Sequence, residues 1–521
     1  MSFEYSLMPH WPQLAWLARC SDGEQNVSVL HGPGVELGDD WFCEAAWAGP
    51  YEEGGFDLTD IVAGTGGRLR VDKTIFVSSG STVDRLQVLV KDSRVWVSNS
   101  LACLLEAADA SVDPTYGQYH RDFGSINDGL TSYERELLTS AGTVRLVYFN
   151  NLVWDGKKLE EIDKPGGGKD FSSFELYRDF LDTCMASMVG NMSHSVRRWP
   201  FKPLATVSSG YDSPTVATLA RKAGCEEALC FGDARGGTEE RGEEIARILG
   251  LCPSVFARES WRTAGTAAEP PFIAADGIGM DLVFKSAEPI LQSRVLFTGY
   301  HGDKVWSKET ADLSDDIVRG DRSGLSLSEF RLAAGFLHCP VPFWGVRQMR
   351  EIHAISTSQG MRQWDIPGGY SRPICRRIVE ESGVPRDFFG VRKAAVAYLL
   401  GNTPTPLVRV SMVDYRRWLR DNADKWRVLG KRPPLTAPWL DSAYWLAKHG
   451  LWKGAKRLLD WGSGKPVVWR VTGIKALYRL AEAPHCTTDL VGLRRYFYPW
   501  ALERTKQWYK APPPDGKGET A

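Results

Sequence analysis

The alternation of apolar and polar residues divides the chain into two parts with different predicted secondary structure. Before about residue 165, short β-branched runs bounded by turn residues predict strands, at Arg68–Val71, Thr74–Ser78, Arg85–Lys91, Arg94–Ser98 and Thr143–Phe149. Between the last two of these, helical spacing of apolar residues predicts a helix over Leu101–Ala110. After residue 170, strand and helix patterns alternate, which is typical of a parallel sheet covered by helices. The sequence therefore predicts a β-rich α+β sandwich followed by an α/β domain.

The clearest strand–turn–helix pattern lies at Ala205–Ala217, which reads ATVSSGYDSPTVA. Its apolar run ends in Ser208, Ser209 and Gly210, and a helix pattern then begins with a proline in its first turn. Such a turn of small residues leaves backbone N–H groups free at the positive end of a helix dipole, which suits a phosphate. Asp212 adds a carboxylate that suits Mg²⁺ bound to the same phosphates. The alternative for the turn alone is an ordinary strand–turn–helix without a ligand.

A second polar cluster follows an apolar strand at Val295–Trp306, which reads VLFTGYHGDKVW. Ligands of parallel α/β sheets bind at the carboxyl ends of the strands, and both clusters follow strand ends. Carboxylates from two such ends, Asp212 and Asp303, can hold one Mg²⁺ from opposite sides. Taken alone, an aspartate such as Asp303 is more often a helix cap or turn residue.

Composition limits the classes of function. The 521 residues are 43% hydrophobic, enough for more than one domain with its own core. The net charge of −1 gives no global positive field for nucleic acid or an anionic membrane, so neither is predicted as a partner. We find no signal-peptide pattern, no apolar run of the ~20 residues that span a membrane, and no CxxC pair among ten cysteines. These features predict a cytoplasmic protein with reduced thiols.

The order Ser-Ser-Gly-Tyr-Asp-Ser at 208–213 resembles the Ser-Gly-Gly-x-Asp-Ser pyrophosphate loop of the ATP pyrophosphatase superfamily, in particular asparagine synthetases and β-lactam synthetases. Ser209 stands where that loop has its first glycine, a change that is tolerated if the φ angle is negative. The resemblance implies an adenine-nucleotide fold that uses ATP and Mg²⁺. It implies binding of ATP by Ser208, Ser209, Gly210, Asp212, Ser213, Phe231 and Gly299, and binding of Mg²⁺ by Asp212 and Asp303.

The cluster Thr298–Asp303 resembles the Thr-Gly-Tyr-Gly-Ser-Asp passage of β-lactam synthetases. In those enzymes the tyrosine belongs to a Tyr–Glu dyad that deprotonates the attacking nitrogen, which implies this role for Tyr300. A similar glutamate before a proline-aromatic segment implies Glu329 as its partner. The carboxylate is chemically needed, because a tyrosine with a pKa near ~10 is a poor base at neutral pH. The alternative for Glu329 is a helix-surface residue.

The passage Gly383–Tyr398 resembles the family segment that places a lysine on a loop over the phosphates. Lys393 is the matching lysine, and it would neutralise charge in the adenylation transition state. Beyond about residue 400, tryptophans are interleaved with basic residues. We interpret this region as amphipathic helices that cover the site or bind an acidic partner, with RNA stacking as the alternative.

The N-terminal text RVWVSNSLACLLEAA resembles the glutamine amidohydrolase domain of asparagine synthetases, an Ntn-type sandwich. That domain uses an N-terminal cysteine as nucleophile, whereas Ser2 follows Met1 here. The resemblance therefore implies two domains. Residues 1–165 would form a degenerate glutaminase-like domain, and residues 170–521 an ATP-binding ligase domain with basic aromatic helices at its end.

The resemblance implies an AMP-forming carbon–nitrogen ligase. A substrate carboxylate would attack ATP to give an acyl-adenylate and pyrophosphate, and an amine would then form an amide. With the glutaminase lost, the amine would belong to the substrate, as in lactam formation or in the macrolactams of lasso-peptide cyclases in natural-product pathways. A peptide or small molecule is then the substrate, with a leader peptide or carrier protein as a possible partner. The alternatives are an ammonia-using amidotransferase and a non-catalytic nucleotide-binding scaffold.

Overall fold

The computed structural model describes residues 1–233, 240–367, 370–391, 397–403, 405–434, 490 and 492–511, together with six residues between 443 and 454. Among these residues, no helix has both the length and the apolar character needed to cross a membrane.

The first 165 residues form two sheets that pack face to face. Their strands are β1 (Ser2–Leu7), β2 (Trp16–Ser21), β3 (Asn26–His31), β4 (Glu36–Leu37), β5 (Trp41–Trp47), β6 (Val62–Arg70), β7 (Lys73–Val77), β8 (Arg85–Lys91), β9 (Arg94–Ser98), β10 (Glu136–Thr139), β11 (Gly142–Tyr148), β12 (Asn151–Trp154) and β13 (Leu159–Ile162). One sheet has the order β1-β3-β2-β9-β8-β11-β10 and the other β13-β12-β7-β6-β5-β4. All neighbours are antiparallel except β1 and β3.

The core of the sandwich follows from the two-residue period of its strands. In β2, Trp16, Ala18 and Cys20 point into the space between the sheets, whereas Leu17 joins the core on the other face. Phe76 of β7 and Leu152 of β12 meet them from the second sheet. The predicted β-rich sandwich is therefore confirmed, and β8 and β9 have the predicted bounds.

The second part of the chain contains a separate sheet of five parallel strands. These are β14 (Lys202–Val207), β15 (Glu227–Phe231), β16 (Cys252–Phe256), β17 (Arg294–Thr298) and β18 (Leu337–Pro340), in the order β16-β15-β14-β17-β18. The predicted parallel α/β sheet is confirmed. Successive strands are added on one side of β14 and then on the other, which opens a crevice at its carboxyl end.

The helices are α1 (Leu101–Ala107), α2 (Tyr119–Gly124), α3 (Phe174–Met192), α4 (Asp212–Lys222), α5 (Gly242–Ile248), α6 (Pro270–Asp276), α7 (Gly302–Val305), α8 (Ser328–Ala334), α9 (Met349–Thr357), α10 (Pro373–Glu381), α11 (Arg409–Asp421), α12 (Ala423–Val428) and α13 (Phe497–Lys506). Helix α1 ends earlier than predicted because Asp109 adopts a left-handed conformation with φ 49°. Helix α4 begins at Asp212, two residues before its proline.

Helix α8 joins the two parts of the chain through a buried ionic cluster. The guanidinium of Arg331 donates to Glu44 at 2.6 Å and to Asp84 at 2.9 Å, and all three side chains are at most 3% exposed. Burial raises the pKa of Glu44, although Arg331 opposes that rise. Both carboxylates belong to the sandwich, so this guanidinium holds the α/β part against it.

The last described helix also spans both parts. Helix α13 packs against α6 and α1. Lys506 donates to the carbonyl of Ala110 at 2.7 Å, just after α1. The indole of Trp11 donates to the carbonyl of Tyr509 at 3.2 Å. Residues near the two ends of the sequence are thereby in direct contact.

We predict that Arg331→Met lowers the free energy of unfolding by about 3–5 kcal/mol, because it leaves two buried carboxylates without a cation. The measurement is urea-induced unfolding. The matched control is Arg294→Met, which removes a bidentate pair with Glu227 that is 40% exposed on the carboxylate side. We expect that control to cost about 1 kcal/mol or less, and equal losses in the two variants would contradict the prediction.

Candidate active site

A cavity of about 180 Å³ opens at the carboxyl ends of β14, β15 and β17. Eight residues predicted from the sequence line it: Ser208, Gly210, Asp212, Ser213, Phe231, Gly299, Tyr300 and Asp303. Parallel strands bring their carboxyl ends to one edge, which is why segments far apart in sequence meet here.

The turn between β14 and α4 is organised by its two serines. The Ser208 N–H donates to the Ser213 hydroxyl at 3.0 Å, and the two hydroxyls lie 2.7 Å apart. The Gly210 N–H points to the Ser208 hydroxyl at 3.3 Å. Ser209 is not among the residues with a positive φ, so a side chain is accommodated where the family loop has glycine.

Ser209 itself is not one of the residues that line the cavity, and its N–H already donates to a carboxylate. It donates to the carboxylate of Glu240 at 2.8 Å, and Glu240 lines the cavity. A carboxylate oxygen on a backbone N–H at the start of a helix is the contact that a phosphate oxygen makes. The loop therefore binds an oxyanion, and the chain supplies one.

Asp212 lies at the centre of the site, in a position that two glycines make possible. A Cβ on Gly299 would lie 2.5 Å from the backbone and Cβ of Asp212, and one on Gly302 would lie 2.6 Å from its carboxyl carbon. The Asp212 carboxylate pairs with the guanidinium of Arg372, which also lines the cavity. Arg372 immediately precedes α10, so this ion pair ties that helix to the turn.

Asp303 is the second residue of α7 and lines the same cavity as Asp212. Within the described ranges, no group of three or more His, Cys, Asp or Glu side chains is arranged to hold a metal. Two carboxylates nevertheless fit Mg²⁺ when phosphate oxygens and water complete its shell, which is the usual arrangement for this ion. The donor set therefore fits a Mg²⁺–nucleotide better than a bare ion.

The net charge of the cavity lining is a second property that bears on its ligand. Its described lining includes four carboxylates and one guanidinium: Asp212, Glu240, Asp303, Asp321 and Arg372. The His301 imidazole of the same lining is neutral, because burial lowers the pKa of His301 to about 3. A cluster of carboxylates favours a cation in the bound ligand.

The carboxylate beside Tyr300 is Asp281, which the sequence reasoning missed. Burial, followed by the charge of Asp281 and a hydrogen bond to it, raises the pKa of Tyr300 well above its ordinary value. Asp281 is 2% exposed and accepts from the Gly324 N–H at 2.9 Å and the Ser326 hydroxyl at 2.7 Å. Burial raises the pKa of Asp281 to about 6. This carboxyl is therefore held rigidly and titrates close to neutral pH.

Glu329 is not in the position that the predicted dyad requires. Its carboxylate accepts from the Ser100 hydroxyl at 2.7 Å and from the Leu101 N–H at 3.0 Å, at the start of α1. A negative charge there stabilises the first turn of the helix. Both oxygens are thus directed into the sandwich, so the pairing of Glu329 with Tyr300 is corrected to a structural role. The sequence offers no signal for this, because the local pattern of α8 does not say which face meets the sandwich.

Two further predictions concern residues around the cavity. Lys393 lies outside the described residues, but its flanks reach the site. The Gly390 N–H donates to the Ser209 carbonyl at 2.9 Å, and Ala397 lines the cavity.

Phe231, which was predicted to contact the adenine base, packs edge-on against Phe284, with ring centroids 5.7 Å apart. Those two rings give the cavity an apolar wall suited to a flat base.

Ser2 follows Met1 at the position where the amidohydrolase family has its nucleophilic cysteine. This residue is exposed on β1, which is an edge strand of its sheet, and its hydroxyl donates to Asn26 at 2.6 Å. Its side chain therefore faces solvent rather than the space between the sheets.

Comparison with protein-family models and with curated proteins found no match to this chain. A functional argument therefore depends on the motifs of the sequence and on the chemistry of the cavity.

We predict that Gly299→Ala destabilises the protein by about 1–3 kcal/mol, because the new methyl group collides with the backbone of Asp212. Thermal unfolding measures the effect. The control is Gly210→Ala in the neighbouring turn, where a Cβ meets nothing closer than 3.4 Å and φ is not positive. A melting temperature lowered equally in both variants would show that the close approach of Gly299 is not the cause.

Proposed function

We propose that the chain is an ATP- and Mg²⁺-dependent ligase that activates a carboxylate and joins it to an amine. One observation carries the proposal: a single cavity unites the serine–glycine turn, two carboxylates from different strand ends, and a tyrosine with a buried carboxylate behind it. Each of these groups has a distinct task in adenylation followed by amide formation.

The binding of ATP is supported by the turn and the apolar wall. The Ser208–Ser213 turn would hold the phosphates through backbone N–H groups and hydroxyls, and Phe231 would contact the base. Asp212 and Asp303 would hold Mg²⁺, which neutralises phosphate charge, while ATP supplies the adenylyl group that activates the carboxylate. Lys393 remains a prediction by resemblance for the same transition state.

Two contacts of the cavity would change when a Mg²⁺–nucleotide binds. Arg372 would leave the Asp212 carboxylate for a phosphate oxygen, since Mg²⁺ then takes its place. Glu240 would release the Ser209 N–H to a phosphate. In both moves the donor, Arg372 or the Ser209 N–H, exchanges one charge-assisted contact for another of the same kind.

The proton of the attacking amine would pass to the Tyr300–Asp281 pair. A phenol with a raised pKa cannot be the resting base, but it can relay a proton to a carboxylate beside it. Asp281, whose pKa is raised to about 6, is ionised for the most part at pH 7 and can accept that proton. This assigns to Asp281 the part that the sequence had suggested for Glu329.

The residues of the site also bear on the source of the amine that joins the activated carboxylate. Ser2, which stands where glutamine amidohydrolases have their cysteine, is exposed on an edge strand, and this favours a source of amine other than glutamine. We therefore propose an amine carried by the substrate, giving a lactam or macrolactam, in a protein that works in the cytoplasm. An ammonia-using enzyme would need no Tyr300–Asp281 pair.

A non-catalytic scaffold is the second candidate, and a specific observation favours it. Glu240 satisfies the Ser209 N–H and Arg372 satisfies Asp212 without any ligand. A site completed in this way from its own residues needs no nucleotide to be stable, so binding has to be measured directly.

We predict micromolar binding of a non-hydrolysable ATP analogue that requires Mg²⁺ and weakens at least about tenfold in Asp303→Ala. Isothermal titration calorimetry is the measurement. The control is Asp315→Ala, an exposed aspartate in the loop that follows α7, which does not line the cavity. Weak binding that is indifferent to Mg²⁺ and to Asp303 would support the scaffold, and no binding would exclude the ligase.

We also predict that Asp281 titrates near pH 6, protonated below and ionised above, and that Tyr300→Phe moves its pKa higher. The reason is that the phenol donates a hydrogen bond to the ionised form, so its loss favours the protonated form. Carbon-13 NMR of carboxyl-labelled aspartate follows the titration, and Asp281→Asn assigns the signal. Glu329→Gln is the control and should leave it unchanged. An unaltered titration in Tyr300→Phe would refute the pairing.

A further inference from the structure

A second concavity, which shares no lining residue with the active-site cavity, lies between α11, α13 and the segment that leads into α6. It is an open groove of about 1140 Å³. Its lining includes Arg409, Val410, Val413 and Arg417 of α11, and Trp508 after α13. No residue placed in the proposed reaction belongs to it.

The groove carries an excess of positive charge. Its described lining holds four arginines and a single acid, Asp414, and that acid is already bound by Arg504 at 2.5 Å and by the indole of Trp500 at 2.8 Å. Arg409 and Arg417 are exposed on α11, and neither forms a hydrogen bond or ion pair with another described residue. Two guanidinium groups are therefore available for an anionic ligand.

Apolar side chains lie between these charges. Val410 is 45% exposed and Val413 is 49% exposed, unusually high for valines on a helix that also has a buried face. Val413 lies one helical turn from both Arg409 and Arg417, so these three side chains lie in a row along one face of α11. Trp508 of the C-terminal segment adds a half-buried indole to the groove.

We propose that this groove binds an acidic polypeptide segment that carries apolar side chains. Its carboxylates would pair with Arg409 and Arg417, and its apolar residues would cover Val410 and Val413. Bidentate pairing of guanidinium with carboxylate gives such a contact both strength and direction. The chain as a whole has a net charge of −1, so the positive groove is a local feature.

The lining favours a polypeptide over RNA. Single-stranded nucleic acid is held by aromatic platforms on which bases stack, and Trp508 is the single aromatic residue of the described lining. Valine, proline and alanine instead offer aliphatic surface of the kind that covers peptide side chains.

The groove adjoins the wall of the active-site cavity. Arg262 donates to the Tyr398 hydroxyl at 2.7 Å, and Tyr398 directly follows Ala397, which lines the cavity. A polypeptide in the groove therefore lies beside the segment that separates the two sites. The inference stands independently of nucleotide binding.

The experiment is fluorescence anisotropy with a labelled peptide of repeated Glu-Leu-Asp-Val units. We expect saturable binding that weakens with added NaCl and falls about tenfold or more in the double variant Arg409→Glu/Arg417→Glu. The control double variant, Arg94→Glu/Arg198→Glu, makes the same change of charge at exposed positions outside the groove. It should bind within about twofold of the wild type.

Three results would overturn the proposal. The first is no saturable binding of the peptide, and the second is an equal loss in both double variants, which would indicate a general charge effect. The third is tighter binding of single-stranded polyuridine than of the peptide, lost in Arg409→Glu/Arg417→Glu. Val413→Asp, which keeps both arginines, should also weaken binding of the peptide. Unchanged binding in that variant would overturn the proposed apolar contact with Val413. Circular dichroism of each variant verifies that it is folded.

Discussion

The buried guanidinium of Arg331 is the constraint on which the arrangement of the two parts depends. A buried guanidinium needs acceptors of fixed position around it, and Glu44 and Asp84 supply them from the sandwich side. Two residues earlier on the same helix, Glu329 stabilises the start of α1. Helix α8 thus contributes two charged side chains, Glu329 and Arg331, that bind residues of the first 165. It precedes β18, the last strand of the parallel sheet. The sandwich acts as the support of that sheet whether or not it retains chemistry of its own.

Two groups of the cavity already have charged partners before any ligand arrives. Asp212 is matched by Arg372, and the Ser209 N–H by Glu240. Such a site is rigid, and a ligand gains only the difference between its own contacts and those that it replaces. Under the proposed function, Mg²⁺ with its phosphates would make that difference favourable, because it would replace both partners together.

Local patterns predicted the elements of the site, and long-range packing decided the rest. The turn at Ser208–Ser213 and the strand before Tyr300 are encoded by contiguous residues, so the sequence locates them. The partner of Tyr300 is not encoded in this way, because Asp281 reaches it through the packing of a loop around Gly324. Glu329 was misassigned for the same reason: like the family glutamate it precedes a proline-aromatic segment, but its carboxylate faces the sandwich.

The contact between Trp11 and Tyr509 has a consequence for synthesis of the chain. The surface of α1 that α13 covers stays open until residues 497–506 have left the ribosome, although the sandwich itself is complete hundreds of residues earlier. This part of the core closes only when α13 docks. A chain without α13 would expose the apolar surface of α1 and would therefore be prone to aggregation during synthesis.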